Sequence, residues 1–420
     1  MKNIFCLLLL CYGQLHAQRD STLTLQACQQ QAREHFPYLQ QQQIIESITA
    51  LQLKNTRNSY LPQLELNAQA TYQSEVTRIP IELPNFTFGL IPKDQYRATI
   101  DVKQLIYDGG TNKQTQKVQQ AQQLVEQQKL ELNQLQVKQQ VTQTYFNALL
   151  WSEHIQASEQ LVAEMKQRIE KMSVGVQNGA ILESNVDLLK AELLKSEQQL
   201  FEANTGKSTA IKILRLLTGM EISEGVRLEK PSPQVSEDLV VNNRPEMRLF
   251  SLQTEALQVQ DKLTATRNMP KLSAFFQGGV GRPGLNMLDN EFKMFYFTGL
   301  RLNWNFWNWH AQRNDRQVIA LQEKNVQKQT ETFELTTRSQ LLQQQAEINN
   351  YAAAIQRDAS IVSLRTKVKN VSANQLDNGA ITVHDYLTDL YNETQAKIQY
   401  KTHEIQWIYA QINYQITKGN

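Results

Sequence analysis

From Leu64 to Gln73 apolar and polar residues alternate without a break. Leu64, Leu66, Ala68, Ala70 and Tyr72 fall in one phase, and Glu65, Asn67, Gln69, Thr71 and Gln73 in the other. Side chains of an extended chain point to opposite faces in turn, so the pattern predicts a strand with one oily and one wet face. Tyr96, Ala98, Ile100 and Val102 repeat it against Arg97, Thr99, Asp101 and Lys103. A third strand is expected over Leu272, Ala274, Phe276 and Val280, where Phe275 intrudes on the polar phase. The fourth runs through Phe292, Met294, Tyr296, Leu300, Leu302, Trp304 and Phe306. Strands of roughly ten residues suit a tilted crossing of a bilayer. Strands of a soluble sandwich share the pattern, but no second sheet is available to cover these.

After Tyr107 the period changes. Neither Pro nor Gly occurs between Gly110 and Gly175, and good helix formers fill the interval. At 1.5 Å per residue such a helix spans about 100 Å. Ala311–Asn378 is as long. These helices cannot sit inside one compact domain; they must pack laterally, with Gln-rich faces toward water.

The two regions belong to a tandem duplication. "VQNGAIL" (Val176–Leu182) and "LDNGAIT" (Leu376–Thr382) lie 200 positions apart, as do "ATIDVKQLIYDGG" (Ala98–Gly110) and the similarly patterned "GLRLNWNFWNWH" (Gly299–His310). Upstream the offset is 208: "HFPYL" (His35–Leu39) faces "NRPEM" (Asn243–Met247), and "YLPQL" (Tyr60–Leu64) faces "NMPKL" (Asn268–Leu272). The extra residues must lie between Pro62 and Ile100, in one longer loop. Asn-Gly is a turn signal, with Gly free to take positive φ. Each Asn-Gly-Ala, 178–180 and 378–380, therefore reads as the tip of a helical hairpin. The expected organisation is a leader (1–17), a first repeat (18–219), a linker (220–238) and a second repeat (239–420).

Composition sharpens this. The 420 residues are 41% apolar and only 20% charged, with a formal net charge of +2, so neither nucleic acid nor an anionic membrane surface is favoured as a partner. Lys2, the apolar run Ile4–Leu10 and "LHAQ" (Leu15–Gln18) read as a secretory signal cleaved after Ala17. Leu10 is too bulky to precede a lipidated Cys11. Cys28 alone then survives, which leaves no intramolecular disulfide. Beyond residue 17 no run of 18 apolar residues suggests a membrane helix.

Candidate chemistry is sparse. "NTGKST" (Asn204–Thr209) lacks the Gly a phosphate loop needs five residues before Gly206, where Phe201 stands. "GGVGRPG" (Gly278–Gly284) follows a strand but opens no helix, so it reads as a loop or bulge. The six histidines form no ligand spacing, and no nucleophile–base set can be argued. No catalytic residue, metal or cofactor is expected. "WNFWNWH" (Trp304–His310) reads as an interfacial aromatic girdle of Trp304, Trp307 and Trp309, with Tyr107 at the equivalent end of the second strand.

The stretch Asn178–Gly219 resembles the tip and returning helix of the TolC-like outer membrane efflux family: a Gly turn, an Asn-Val step, then a heptad-like Leu/Ala run closing in Leu-x-Gly. "NRPEM", "YLPQL" and "IYDGG" resemble its other landmarks, in the same order in both halves. The resemblance implies a mainly α fold with a membrane β-barrel. Three chains would give four strands each to a twelve-stranded barrel, and their hairpins would form a periplasmic tunnel below the outer membrane of a Gram-negative bacterium. It implies a homotrimer that takes substrates from an inner-membrane pump and a periplasmic adaptor and conducts them passively outward.

By the same resemblance the periplasmic aperture is narrowed by an aspartate that falls on Asp385, where three carboxylates would prefer cations. The family's second aspartate position holds Thr388, with Asp389 beside it. Its charged lock is largely replaced here: Ile381 stands for the Arg, Leu376 for the Tyr, and Ser184-Asn185 for the Thr-Asp pair. The tips, Gly179, Ala180 and Ile181 with Gly379, Ala380 and Ile381, are expected to receive the adaptor's hairpins. For Asp385 the plain alternative is an ordinary solvated helix charge. An adaptor-type periplasmic protein would explain the helices but neither the strands nor the girdle; an exported enzyme would explain none of these.

Overall fold

The computed structural model describes residues 22–76, 92–232 and 244–419. The expected leader, most of the long loop after β1 and part of the linker lie outside the described residues. In chain order the elements are α1 (Leu25–His35), α2 (Tyr38–Asn58), β1 (Gln63–Tyr72), β2 (Asp94–Tyr107), α3 (Thr111–Gln177) and α4 (Glu183–Thr218), followed by α5 (Pro245–Ala265), β3 (Lys271–Arg282), β4 (Lys293–Asn303), α6 (Ala311–Asp377) and α7 (Val383–Lys418).

The duplication is written into these bounds. Helices α3 and α6 are both 67 residues long, α4 and α7 both 36, and each begins 200 positions after its counterpart. Pro37 stands just before α2 and Pro245 opens α5, where a missing N–H costs nothing. Pro62 and Pro270 fall between helix and strand.

Two compact units form, and each draws on both repeats. One holds α2, α5, the sheet and the first parts of α3 and α6. The other holds α1, α4, α7 and the remainders of α3 and α6.

In the first unit the four strands are antiparallel in the order β1-β2-β3-β4. Leu66 lies opposite Ile100, Ile100 opposite Gly278, and Gly278 opposite Tyr296. The register puts every residue of the apolar phase on one face, including Leu66, Ala70, Ile100, Val102, Leu272 and Leu302. Leu66 is 77% exposed and Leu300 68%, an apolar surface that stands open among the described residues. One expectation is corrected: β4 ends at Asn303, so Trp304 and Phe306 lie beyond it. Asn303 pairs with Lys271, the first residue of β3. The next partner would be Pro270, which has no N–H to give, and the ladder stops there.

In the helical unit Cys28, Tyr145, Ile211, Leu214 and Ile405 are fully buried in one core cluster. The Tyr145 hydroxyl lies 2.6 Å from the Leu23 carbonyl oxygen and 2.7 Å from that of Glu229. Leu23 bridges Leu228 in parallel, and Ile222 and Val226 are buried. The described part of the expected linker is thus a fixed part of the core. Gly206 of "NTGKST" is packing, not chemistry: a Cβ there would come within 2.5 Å of the Trp151 indole.

Candidate functional site

Both tips are built by the same backbone device. Gly179 and Gly379 have φ of +71° and +70°. The Ala180 N–H donates to the Gly175 carbonyl at 2.9 Å, and Ala380 to Gln375 at 2.8 Å. Gly179 and Gly379 close the inner bonds to Val176 and Leu376. This is a Schellman termination, which satisfies the last carbonyls of α3 and α6 and needs a left-handed residue at the turn. The two returns differ in their caps. Leu182 offers α4 no side-chain cap, whereas Thr382 and Asp385 form a reciprocal capping box at the start of α7.

Asp385 therefore has a structural task. Its carboxylate accepts from the Thr382 hydroxyl at 2.7 Å and the Thr382 N–H at 3.1 Å, which hold it below the usual carboxylate range. The residue remains exposed at the tip. Asp389 accepts a hydrogen bond from Ser372 of α6. Ser184 is exposed, and Asn185 bonds through its backbone to Leu182 at 3.1 Å. Among the tip residues, Ala180 and Ala380 are exposed. Ile181 and Ile381 instead pack with Val176 and Leu376 against a tip core of Leu161, Met165, Met172, Val186, Leu189, Val383, Tyr386, Leu387 and Leu390.

Beside this core runs a polar latch between the two hairpins. Lys369 of α6 donates to both oxygens of Glu164 of α3, at 3.0 and 3.3 Å. The Tyr386 hydroxyl of α7 donates to Glu164 at 2.9 Å. Arg168 reaches Asp377 at 2.5 Å and Lys171 reaches it at 2.7 Å. The Arg168 guanidinium also lies 4.6 Å over the Tyr386 ring. Burial, and then the Glu164 charge, push the Tyr386 phenol up to about 12, so it stays a donor at neutral pH. Lys171, then Arg168, hold the Asp377 carboxyl below its ordinary range.

Reading the sequence missed Glu164, Arg168, Lys171, Lys369 and Asp377. A signal existed in the difference between repeats: the positions 200 away are Leu364, Val368, Val371, Ile169 and Gln177.

The aromatic cluster sits where strand turns to helix. Trp304, Trp307 and Trp309 are exposed, as is Tyr107 at the end of β2. The Trp304 indole N–H donates to the Asn268 carbonyl at 3.0 Å, tying the segment to the turn before β3. Trp307 packs edge-on against Trp309 and His310, with ring centroids 5.8 and 5.4 Å apart.

The chain thus holds a four-stranded sheet with one largely apolar face and two long helical hairpins, one from each repeat. The family model described as outer membrane efflux protein matches residues 28–220, the first repeat. No curated protein matches the chain. The outer membrane channel CmeC of Campylobacter jejuni is similar in structure with a TM-score of 0.69 at 15% identity, over 94% of this chain and 85% of that one. The outer membrane protein VceC of Vibrio cholerae gives 0.69 at 13%, over 94% and 96%. The open state of the MtrE outer membrane channel of Neisseria gonorrhoeae gives 0.67 at 13%, over 94% and 89%.

At these identities the structural likeness is one of fold. The first repeat thus matches the outer membrane efflux protein family, and both repeats share the fold of these outer membrane proteins. Two of these, CmeC and MtrE, are channels.

Proposed function

We propose that the chain is the outer membrane channel of a tripartite efflux or secretion system. It conducts passively what an inner-membrane pump and a periplasmic adaptor deliver, and the pump supplies the energy. The observation that carries this reading is the sheet. Four strands cannot close a barrel, both edge strands are unpaired along their outer sides among the described residues, and one face is mostly apolar. Three copies would pair each β4 with the next β1 and remove every edge, with lipid on the apolar face. The helices support the same assembly. Leu321, Leu335 and Leu342 lie exposed on α6 at multiples of seven residues, and Leu364 and Val371 repeat the seven-residue step one position out of that register, the kind of spacing that suits a seam with a partner helix.

In this reading the tips at 178–180 and 378–380 meet the adaptor, Asp385 faces the aperture, and Tyr107, Trp304, Trp307 and Trp309 hold the membrane interface. The latch of Glu164, Arg168, Lys171, Lys369 and Asp377 supplies the polar contacts that the family's lock residues do not. The test is fractionation followed by crosslinking. A heat-sensitive trimer extracted by detergent from the outer membrane, crosslinked through its tips to an adaptor encoded beside it, supports the reading. A soluble or inner-membrane-tethered monomer overturns it in favour of an adaptor-type protein.

A further inference from the structure

The polar face of the sheet is not neutral, and its aromatic residues are not strays. The register collects Arg97, Lys103, Lys271 and Arg301 on that face, with Glu65 and Asp101 as acids of the same phase. Lys293 is there too, but it pairs with Asp289 at 2.5 Å. Glu65 and Asp101 stand opposite each other, and Asp101 is held by Asn67 at 2.6 Å, Thr99 at 3.2 Å and Gln277. None of the four bases has an ion-pair partner among the described residues. Lys103, Arg301 and Lys271 occupy successive rows toward the helical end of the sheet.

Two of the bases are fixed to the wall in layered stacks. Arg97 on β2 reaches across β3 to lie 5.5 Å over the Phe295 ring on β4. It can do so because Gly279 and Gly281 leave β3 bare between them; a Cβ on Gly281 would sit 3.3 Å from that ring. Arg301 lies 5.0 Å over Phe275, whose ring covers Gly299 at 3.0 Å from where a Cβ would be. Phe275 meets Phe297 edge-on at 5.9 Å. Each phenylalanine covers a strand glycine on the wet face, and each carries a guanidinium on its outer side. A stacked guanidinium keeps its N–H fork free for an anion and surrenders little rotamer freedom when it binds one.

We infer that the polar face is an anion-attracting wall, with Arg97 and Arg301 as specificity-determining residues that favour anionic solutes in the barrel part of the path. The inference rests on the proposed reading that this face lines the lumen. Three copies would triple the basic excess. Its sign opposes that of the aspartate aperture, so the two ends of the path would filter different properties of a solute. The field of the wall extends about 8 Å at physiological ionic strength and about 30 Å at 0.01 M salt, so the effect belongs to low salt.

The test uses the full-length trimer in planar bilayers at low salt, with citrate as the anionic probe on the barrel side. Citrate should block the wild type and shift its reversal potential toward anions. The R97Q/R301Q variant should block several-fold less, with its reversal potential shifted toward cations; K103Q/K271Q should move the same way if the first variant assembles poorly. Identical block and reversal potential in wild type and variants overturn the inference. Labelling by a water-soluble thiol reagent separates this from failure of the lumen reading. If N67C is labelled and L66C is not, the lumen reading stands and unchanged block sinks the anion wall alone. If L66C is labelled and N67C is not, both fall.

Discussion

Gly109 and Trp309 turn the chain the same way at the same corner of the two repeats, with φ of +71° and +51°. The next residues, Gly110 and His310, repeat the contrast at +84° and +62°. One repeat makes the strand-to-helix corner with two glycines, the other with two ring-bearing residues. A left-handed conformation costs a residue with a Cβ about 1–2 kcal/mol, and glycine costs about 0.5–1 kcal/mol in extra backbone entropy.

The corners should therefore respond in opposite senses. His310→Gly is expected to leave stability unchanged or raise it by up to about 1 kcal/mol. Gly109→Ala should cost about 2–3 kcal/mol, because its Cβ would lie 2.3 Å from the Met269 Cβ, an atom fixed to the backbone. The heat dissociation midpoint of the detergent-extracted protein measures both. Equal tolerance at the two corners would remove the argument.

The apolar face of the sheet gives a second expectation. Ile100 and Leu302 share it, one on a central strand and the other on the edge strand β4. Arginine at either should cost about 2–4 kcal/mol if the position lies near the bilayer midplane. Gln69→Arg on the opposite face, at an exposed position, changes charge without entering lipid and serves as the comparison. Outer-membrane yield that falls equally for the two faces would argue that neither meets lipid.

Much of this was legible, and the reasons are local. Period two marks β1 through β4 because each strand has one wet face, and the absence of Pro and Gly marks α3 and α6. The Asn-Gly turns announce the tips, since only the residue at positive φ is constrained there. Phe275 looked like noise because its role depends on Gly299 across the strand pair and on Arg301 above it. Trp304 and Phe306 extended the alternation past the true end of β4, since pairing is decided by Pro270 on the neighbouring strand. The latch was hidden for the same reason: Glu164 and Lys369 are 205 positions apart, and nothing local to either names the other.

The latch carries a pH expectation. The folded-state pKa of Asp377 is depressed by Lys171 and Arg168. A depressed carboxylate contributes stability that is present above its unfolded value of about 3.9 and is lost as pH falls through the folded value. The tip should thus loosen in acid, below about pH 4. Asp377→Asn should loosen it at neutral pH by roughly 1 kcal/mol, a figure reduced because these groups are partly exposed and screened. Hydrogen exchange across Glu164–Val176 and Val368–Leu376 reads the change. A variant with wild-type protection at pH 7 and the same acid response would show that Asp377 does not hold the hairpins together.

Docking at the tips can be separated from their folding. Ile181 and Ile381 are half-buried against the tip core, so polar residues there should harm the hairpins as well as any partner. Val174 is 54% exposed, and Ala180 and Ala380 are exposed, so they are free to touch a second protein. Gly379 has open space where a Cβ would go, so Gly379→Val strains only the backbone, by about 1–2 kcal/mol, and should re-aim the turn. Val174→Asp and Ala380→Asp should assemble with wild-type heat stability yet crosslink poorly to the adaptor and fail in efflux. Ile381→Asn should lose both. Gly379→Val should lose crosslinking with a small stability change. If Val174→Asp and Ala380→Asp keep full crosslinking and efflux, the exposed tip surface is no docking site and the two Schellman turns serve only to reverse the chain.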